Sequence, residues 1–281
     1  AEPLISCSVD FYVRIFVRIH DSPAQAKFTA SKTGLVHQCV QCESFFVQAL
    51  GSATEKPKAQ TKFRPVRVTV PGKECPECGG AIEIGGPFYL GELHNADFVH
   101  SCLKICEETA SLPGITSWKK IHGTLAAISE EHFGIALYYR LPQLFKSLKL
   151  NGMPLRQFRG TLLSLGHSVS HFHRDPEAIK TDAPNEVVFD LLRLWAKESP
   201  PRSMPLPRIF EKTVPKAVIW VTEDKVKGGV AKFLPNPEPN WGPKARAKGA
   251  GAEKEKKNSE PLRGSCYNGC WSWKPLPVEK W

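Results

Sequence analysis

Nine cysteines are the side chains best able to do chemistry in this chain, and their spacing sorts them. Four fall in two C-x-x-C pairs, Cys39-Val40-Gln41-Cys42 and Cys75-Pro76-Glu77-Cys78, with 32 residues between the pairs. Two intervening residues let both thiolates of a pair turn back onto one metal, and Gly79-Gly80 suits the tight turn after the second pair. Four thiolates in a tetrahedral array select zinc over harder cations. Four buried free thiols, or redox chemistry, are the plainer alternatives. A catalytic zinc is not expected, because four cysteines leave no open coordination position. Cys102 and Cys106 are expected on one helical face as packing residues. Cys266 and Cys270 lie in a stretch without periodicity, with no histidine following.

The other candidates are basic. Residues 140–180 hold Arg140, Lys146, Lys149, Arg156, Arg159, Arg174 and Lys180 against Asp175 and Glu177 alone. Arg156 and Arg159 stand three apart near the start of an expected helix, where charge and helix dipole together favour a phosphate. Lys146, Lys149 and Lys180 complete the candidate phosphate-facing set. A solvated helix face is the alternative. His167, His171 and His173 cluster without a carboxylate at a useful spacing, so a polar, partly exposed strand face is expected there. His37, two residues before Cys39, is a spare ligand that four cysteines do not need. There is no glycine-rich loop following a strand, no P-loop, no G-x-S-x-G elbow and no H-E-x-x-H. No catalytic and no cofactor-binding residue can therefore be assigned.

These groups must be held by elements, and an α+β chain is expected. Residues 8–20, SVDFYVRIFVRIH, alternate with period two and read as a paired, largely buried strand whose neighbours are missing. Residues 34–95 carry the cysteine pairs around a polar insert at 51–66, beside strand-like VRVTV (66–70) and AIEI (81–84). Helical periodicity appears at 118–131, 141–149 and 154–165, with Gly166 as a stop, followed by strands at 168–172 and 178–183. Pro184 opens a last amphipathic helix at 185–199. Three helices and then two strands joined by a polar turn is the order of a winged helix. From about residue 200 the chain is Pro- and Lys-rich and is expected to be an extended or disordered tail.

Composition bounds the rest. The net charge is +10 and the pI about 9.2, which suits a polyanionic partner. No apolar run approaches the roughly 18 residues of a membrane span, so no membrane partner is expected. Fifteen Phe and seven Trp exclude a fully disordered chain. The chain opens with Ala1 and shows no secretory signal, so a piece of a longer or processed protein in a reducing, intracellular compartment is expected. Nucleus, mitochondrion and cytoplasm are not distinguished, and no protein partner is inferred.

Several stretches occur together in order: PLISCSVDFYVRIFVRI (3–19), QCVQC (38–42), ECPECGG (74–80), GGPFYLGELHNADFV (85–99), LYYRLPQL (137–144), KTDAP (180–184) and NPEPNWGPKARA (236–247). Over residues 3–248 the chain closely resembles the C-terminal half of the eukaryotic tRNA (guanine-N2)-dimethyltransferase family; residues 249–281 match nothing in it. The resemblance implies methyl transfer from S-adenosylmethionine to N2 of guanine 26 in tRNA. It implies that residues 1–33 end a Rossmann-like methyltransferase sheet, that 34–95 form a four-cysteine zinc module, that 96–200 form a winged-helix-like tRNA-binding domain, and that 201–281 are tail. It carries over Cys39, Cys42, Cys75 and Cys78 as zinc ligands and no catalytic or donor-binding residue, so this chain alone is expected to be inactive. Two other readings stay open: a zinc-containing winged-helix module that binds nucleic acid or protein without an enzyme attached, and a family paralogue acting at a neighbouring tRNA position.

Overall fold

The computed structural model describes residues 1–9, 11–56, 59–109, 117–201, 207–214 and 218–226. Two elements open the chain as an antiparallel hairpin, β1 (Glu2–Val9) and β2 (Tyr12–Arg18). The single strand expected over 8–20 is thus split by a turn near Phe11, and β2 is exposed along its whole length, Val13 at 66% and Ile15 at 61%. Pairing with β1 satisfies one edge only. Among the described residues nothing covers the apolar side chains of β2.

A short helix α1 (Pro23–Ala26), capped by Ser22, leads into a three-stranded antiparallel sheet of order β4-β3-β7, with β3 (Thr33–Cys39), β4 (Phe45–Ala49) and β7 (Ile82–Tyr89). Between β4 and β7 a separate ribbon forms from β5 (Gly51–Lys56) and β6 (Ala59–Pro65). Residues 66–70, expected as a strand, form none. The Thr69 amide donates instead to the Gln48 side chain at 2.9 Å.

Helix α2 (Ala96–Glu108) starts at Asn95, whose side chain accepts from the Phe98 amide at 3.0 Å. It packs with α3 (Trp118–Ser129) and β1 around Val99, Ile128 and Ile5, where Cys7 and Cys102 add partly buried sulfur. Cys106 is buried and Cys102 half-buried on α2, where both pack toward neighbouring elements.

A second, larger apolar cluster holds α4 (Leu141–Ser147), α5 (Leu155–Ser164) and α6 (Asn185–Glu198). With them lies a three-stranded antiparallel sheet of order β8-β10-β9, from β8 (Tyr139–Arg140), β9 (Val169–His171) and β10 (Ala178–Thr181). Gly166 ends α5 with φ +89°, as its place after the helical stretch implies. The first of the three expected helices, α3, joins the α2 cluster instead, and α6 takes the place beside α4 and α5. Its apolar stripe of Val188, Leu191 and Leu192 is fully buried there. All strand pairs among the described residues are antiparallel, and no helix among them is long and apolar enough to cross a membrane.

Candidate metal centre and nucleic-acid-facing module

The two C-x-x-C segments meet. Cys39 ends β3 and its partner Cys42 lies in the turn to β4, where Glu43 takes a positive φ of 62°. Cys75 and Cys78 lie in a turn closed by an antiparallel bridge between Glu74 and Ala81. Gly79, at φ +72°, lets the second turn close, and its amide donates to the Cys75 carbonyl at 2.8 Å. A Cβ on Gly80 would stand 3.0 Å from the Cys39 sulfur, so this position keeps the backbone close to the cluster.

All four sulfurs lie within 4.8 Å of one another and all four residues are buried. The Cys39–Cys78 and Cys42–Cys75 sulfurs are 3.4 and 3.7 Å apart. Those separations are far beyond a disulfide bond of about 2.05 Å. They are close to the roughly 3.8 Å between sulfurs that a tetrahedron with Zn–S of about 2.3 Å requires. The amides of Gln41, Glu77 and Gly80 each point at a cysteine sulfur at 3.4 Å, an arrangement that stabilises thiolate charge. The hydrogen bond from the Cys42 thiol, with those of Ser44 and the Glu77 amide, pulls Cys75 down to about 4. The same contact with Cys75, aided by burial, pushes Cys42 up, and burial pushes Cys78 up to about 11. Cys75 thus forms its thiolate readily, and Cys42 and Cys78 hold their protons more tightly. The set fits a tetrahedral thiophilic metal, and His37 is not part of it.

The cluster is tied to the helical part by a buried charge. Glu77, inside the second turn, pairs with Arg193 of α6, which also donates to the Ile209 carbonyl at 2.8 Å and to Asp190 at 2.6 Å. Tyr139 donates its hydroxyl to Asn185, which reaches the Phe45 carbonyl on β4.

The basic candidates divide. Lys146 and Lys149 are at the end of α4, with Lys149 exposed and Lys146 in its last turn. Arg156 has its Nε 3.1 Å from Glu223, with most of its side chain open to solvent. Arg159 is 5% exposed and grips the same carboxylate at 2.9 and 3.1 Å. Residues 221–223 lie across α5 here: a Cβ on Gly160 would come within 2.4 Å of the Val221 carbonyl oxygen. The helix expected to meet phosphate therefore has its face covered by the chain's own later segment. Lys180 is likewise buried, 2.9 Å from Glu131. Arg159 and Lys180 thus face carboxylates rather than solvent.

Glu131 belongs to a group that spacing did not reveal. His171 and His173, expected on a partly exposed face, are both buried. His171 meets the Ala127 carbonyl at 3.0 Å, and His173 Nδ1 lies 2.7 Å from Glu131. His173 Nε2 accepts the Ser8 amide at 3.0 Å and His94 Nδ1 the Ser6 amide at 3.4 Å, so two imidazoles clasp the backbone of β1. Ligand atoms of His94, Glu131 and His173 are close enough to share a cation, but Lys180 already neutralises Glu131 and both His173 nitrogens are engaged. Burial raises Glu131, and the His173 hydrogen bond together with the Lys180 charge outweighs it, leaving the carboxyl at about 2. Burial pulls His94 down to about 4.

A sign follows for acid. The unfolded chain binds a proton on His94 near pH 6.5 that the fold refuses until about 4, so stability falls as pH drops through that window, by up to about 3 kcal/mol. Glu131 adds a further loss below about pH 4.5. Thermal midpoints measured from pH 7 to 4 should fall for the native chain and fall less for His94→Gln. Equal slopes would remove His94 as the cause.

The family model for N2,N2-dimethylguanosine tRNA methyltransferases matches residues 1–193. The chain belongs to this family. The match ends within α6, short of the residue 248 to which the motif resemblance extends. Among curated relatives, the tRNA (guanine(26)-N(2))-dimethyltransferase of Mus musculus is 37% identical over 274 residues, covering 93% of this chain and 40% of that protein. That of Drosophila melanogaster is 36% identical over 263 residues, covering 88% and 45%. The chain thus spans less than half the length of these relatives. A solved structure described as Trm1 from Pyrococcus horikoshii with S-adenosyl-L-methionine superposes with a TM-score of 0.51 at 24% identity, over 67% of this chain and 43% of that one. It shows a shared fold for this member of the dimethylguanosine methyltransferase family.

Proposed function

We propose that this chain is the zinc-stabilised, tRNA-holding part of a tRNA (guanine(26)-N2)-dimethyltransferase, corresponding to the C-terminal half of such an enzyme. The observation that carries the reading is the family match over residues 1–193, which contains the whole four-cysteine cluster and the α4 lysines. In this reading residues 1–33 end the methyltransferase sheet, 34–95 are the zinc module, 96–200 the winged-helix-like tRNA module and 201–281 the tail. The exposed apolar side chains of β2 support the first of these, since a strand of this composition paired on one edge only suits a sheet interior.

Zinc on Cys39, Cys42, Cys75 and Cys78 has all its positions filled by protein and acts by holding structure. S-adenosylmethionine is the methyl donor that the family implies, and the described residues do not fit it. A Rossmann-like donor site needs parallel strands with a glycine-rich turn, whereas every described pair is antiparallel. A groove of about 560 Å³ along α4 is lined mainly by apolar side chains, Leu141, Phe145, Leu150 and Met153, with Lys146 and Glu177 as its charged lining residues. The chain's own residues bind and orient RNA. Guanine 26 lies within structured RNA and must leave its stack, at a cost of a few kcal/mol, for chemistry to reach it. Fixed phosphate contacts supply the grip against which that distortion is made. The cations Lys146, Lys149 and Arg156 are proposed to contribute contacts, and Arg159 and Lys180 to act in folding.

The chain should bind tRNA with affinity that falls steeply with salt, and Lys146→Glu with Lys149→Glu should weaken it about tenfold. Salt-independent binding, or none, removes the RNA role. Methyl transfer by this chain alone, followed with labelled donor, should be undetectable; turnover would show that the donor site lies within it.

A further inference from the structure

Residues 51–73 carry Lys56, Lys58, Lys62, Arg64, Arg67 and Lys73 against one carboxylate, Glu55. The fold makes a two-stranded ribbon of the first part of this stretch, β5 with β6 over residues 51–65, which no third strand among the described residues joins; Arg67 and Lys73 follow it. Its register sets Ser52 opposite Arg64, Ala53 opposite Phe63 and Thr54 opposite Lys62. Alternate residues of a strand face opposite sides, so Ser52, Thr54, Lys62 and Arg64 share one face and Ala53 and Phe63 the other.

The two faces have different surroundings. Phe63 meets the ring of Phe28 edge-on at 5.1 Å, and the Ala30 side chain lies where a Cβ on Gly51 would stand, 2.9 Å away. That side anchors the ribbon to the body of the protein. Lys62, Arg64 and Arg67 are exposed, and none of them has a carboxylate within ion-pair distance among the described residues. Arg159 and Lys180 are neutralised by Glu223 and Glu131; these three are not. Like charges two residues apart on one face repel, which a polyanion relieves.

We propose that the β5–β6 ribbon is an arm that contacts the RNA sugar-phosphate backbone, with Lys62 and Arg64 of β6, and Arg67 two residues after it, as the phosphate-contacting cations and Thr54 as a hydroxyl donor beside Lys62. This rests on the RNA-binding reading above and adds to it a surface that the α4 lysines do not include. The competing account is that edge cations only prevent strand-to-strand aggregation.

The full chain and its Lys62→Glu, Arg64→Glu double variant are titrated with tRNA between about 50 and 200 mM salt. The double variant should bind at least tenfold more weakly, and its slope of log affinity against log salt should be shallower by about two. Lys62→Ala with Arg64→Ala should show the same slope change, which covers the case in which the reversal disturbs folding. Unchanged affinity and slope in both variants, with the native chain binding, overturns the arm; a loss in Lys146→Glu, Lys149→Glu alone then leaves the RNA reading standing without it. No binding by the native chain overturns both.

Discussion

Arg193→Ala is expected to cost about 3–5 kcal/mol of folding stability, because it removes one member of a buried, hydrogen-bonded ion pair and strands the other. The guanidinium is 2% exposed and its donors are used by the Ile209 carbonyl, Asp190, and the carbonyl and carboxylate of Glu77. Without it, the Glu77 carboxylate stays buried in the second cysteine turn with Lys212, at 3.4 Å, as the remaining cation among the described residues. Arg193→Lys should not restore the native stability, since a point charge cannot reproduce a fork that serves three partners. Glu77→Gln combined with Arg193→Met should recover part of the loss, because neither charge is then left alone. Denaturant unfolding decides it: a loss below about 1 kcal/mol for Arg193→Ala would mean that the pair is not what joins the cysteine turn to α6.

Helical periodicity made α3 to α6 legible within a few residues, because amphipathic stripes such as Val188, Leu191 and Leu192 announce their own burial. The cysteine cluster was legible for a related reason: two local turns each carry their own spacing, and only their meeting needed the fold. What spacing did not show was pairing across distance. Glu131 lies 42 residues from His173 and Glu223 lies 64 from Arg159, so a local count of cations overstated how many remain free. The ribbon was hidden for another reason. TEKPKAQTKFR lacks apolar alternation, and among the described residues its strands are held by backbone pairing, with the Phe63–Phe28 contact beside it. Helix α2 is signalled by Asn95 as a cap with Asp97 in the first turn, a pattern that periodicity alone passes over. The hairpin at the start gave its strand but not its exposure, because alternation within one strand says nothing of what packs against it.

Removing the metal should do more than free four thiols. The cysteines belong to the same apolar cluster as Phe158, Leu162, Val188 and Leu192, so the turns that carry them also line the core against which α5 and α6 pack. Structural zinc binds zinc-finger peptides with about 10–16 kcal/mol at neutral pH. A larger domain with its own core retains part of its stability without it, so a loss on the order of 5 kcal/mol is expected on chelation or in Cys75→Ser, lowering the thermal midpoint by about 10–20 °C. The purified chain should contain about one zinc per molecule by elemental analysis, and Cys75→Ser should not. Cys102→Ser, on α2 and outside the cluster, should keep the metal. Acid should release it, because protons compete for the thiolates: Cys42 and Cys78, both raised in the metal-free cluster, must lose theirs on binding, whereas Cys75 is already held near 4. Metal-free protein from a clean preparation, or a Cys75→Ser variant that lacks zinc yet melts with the native chain, would leave four buried thiols as the better description of the site.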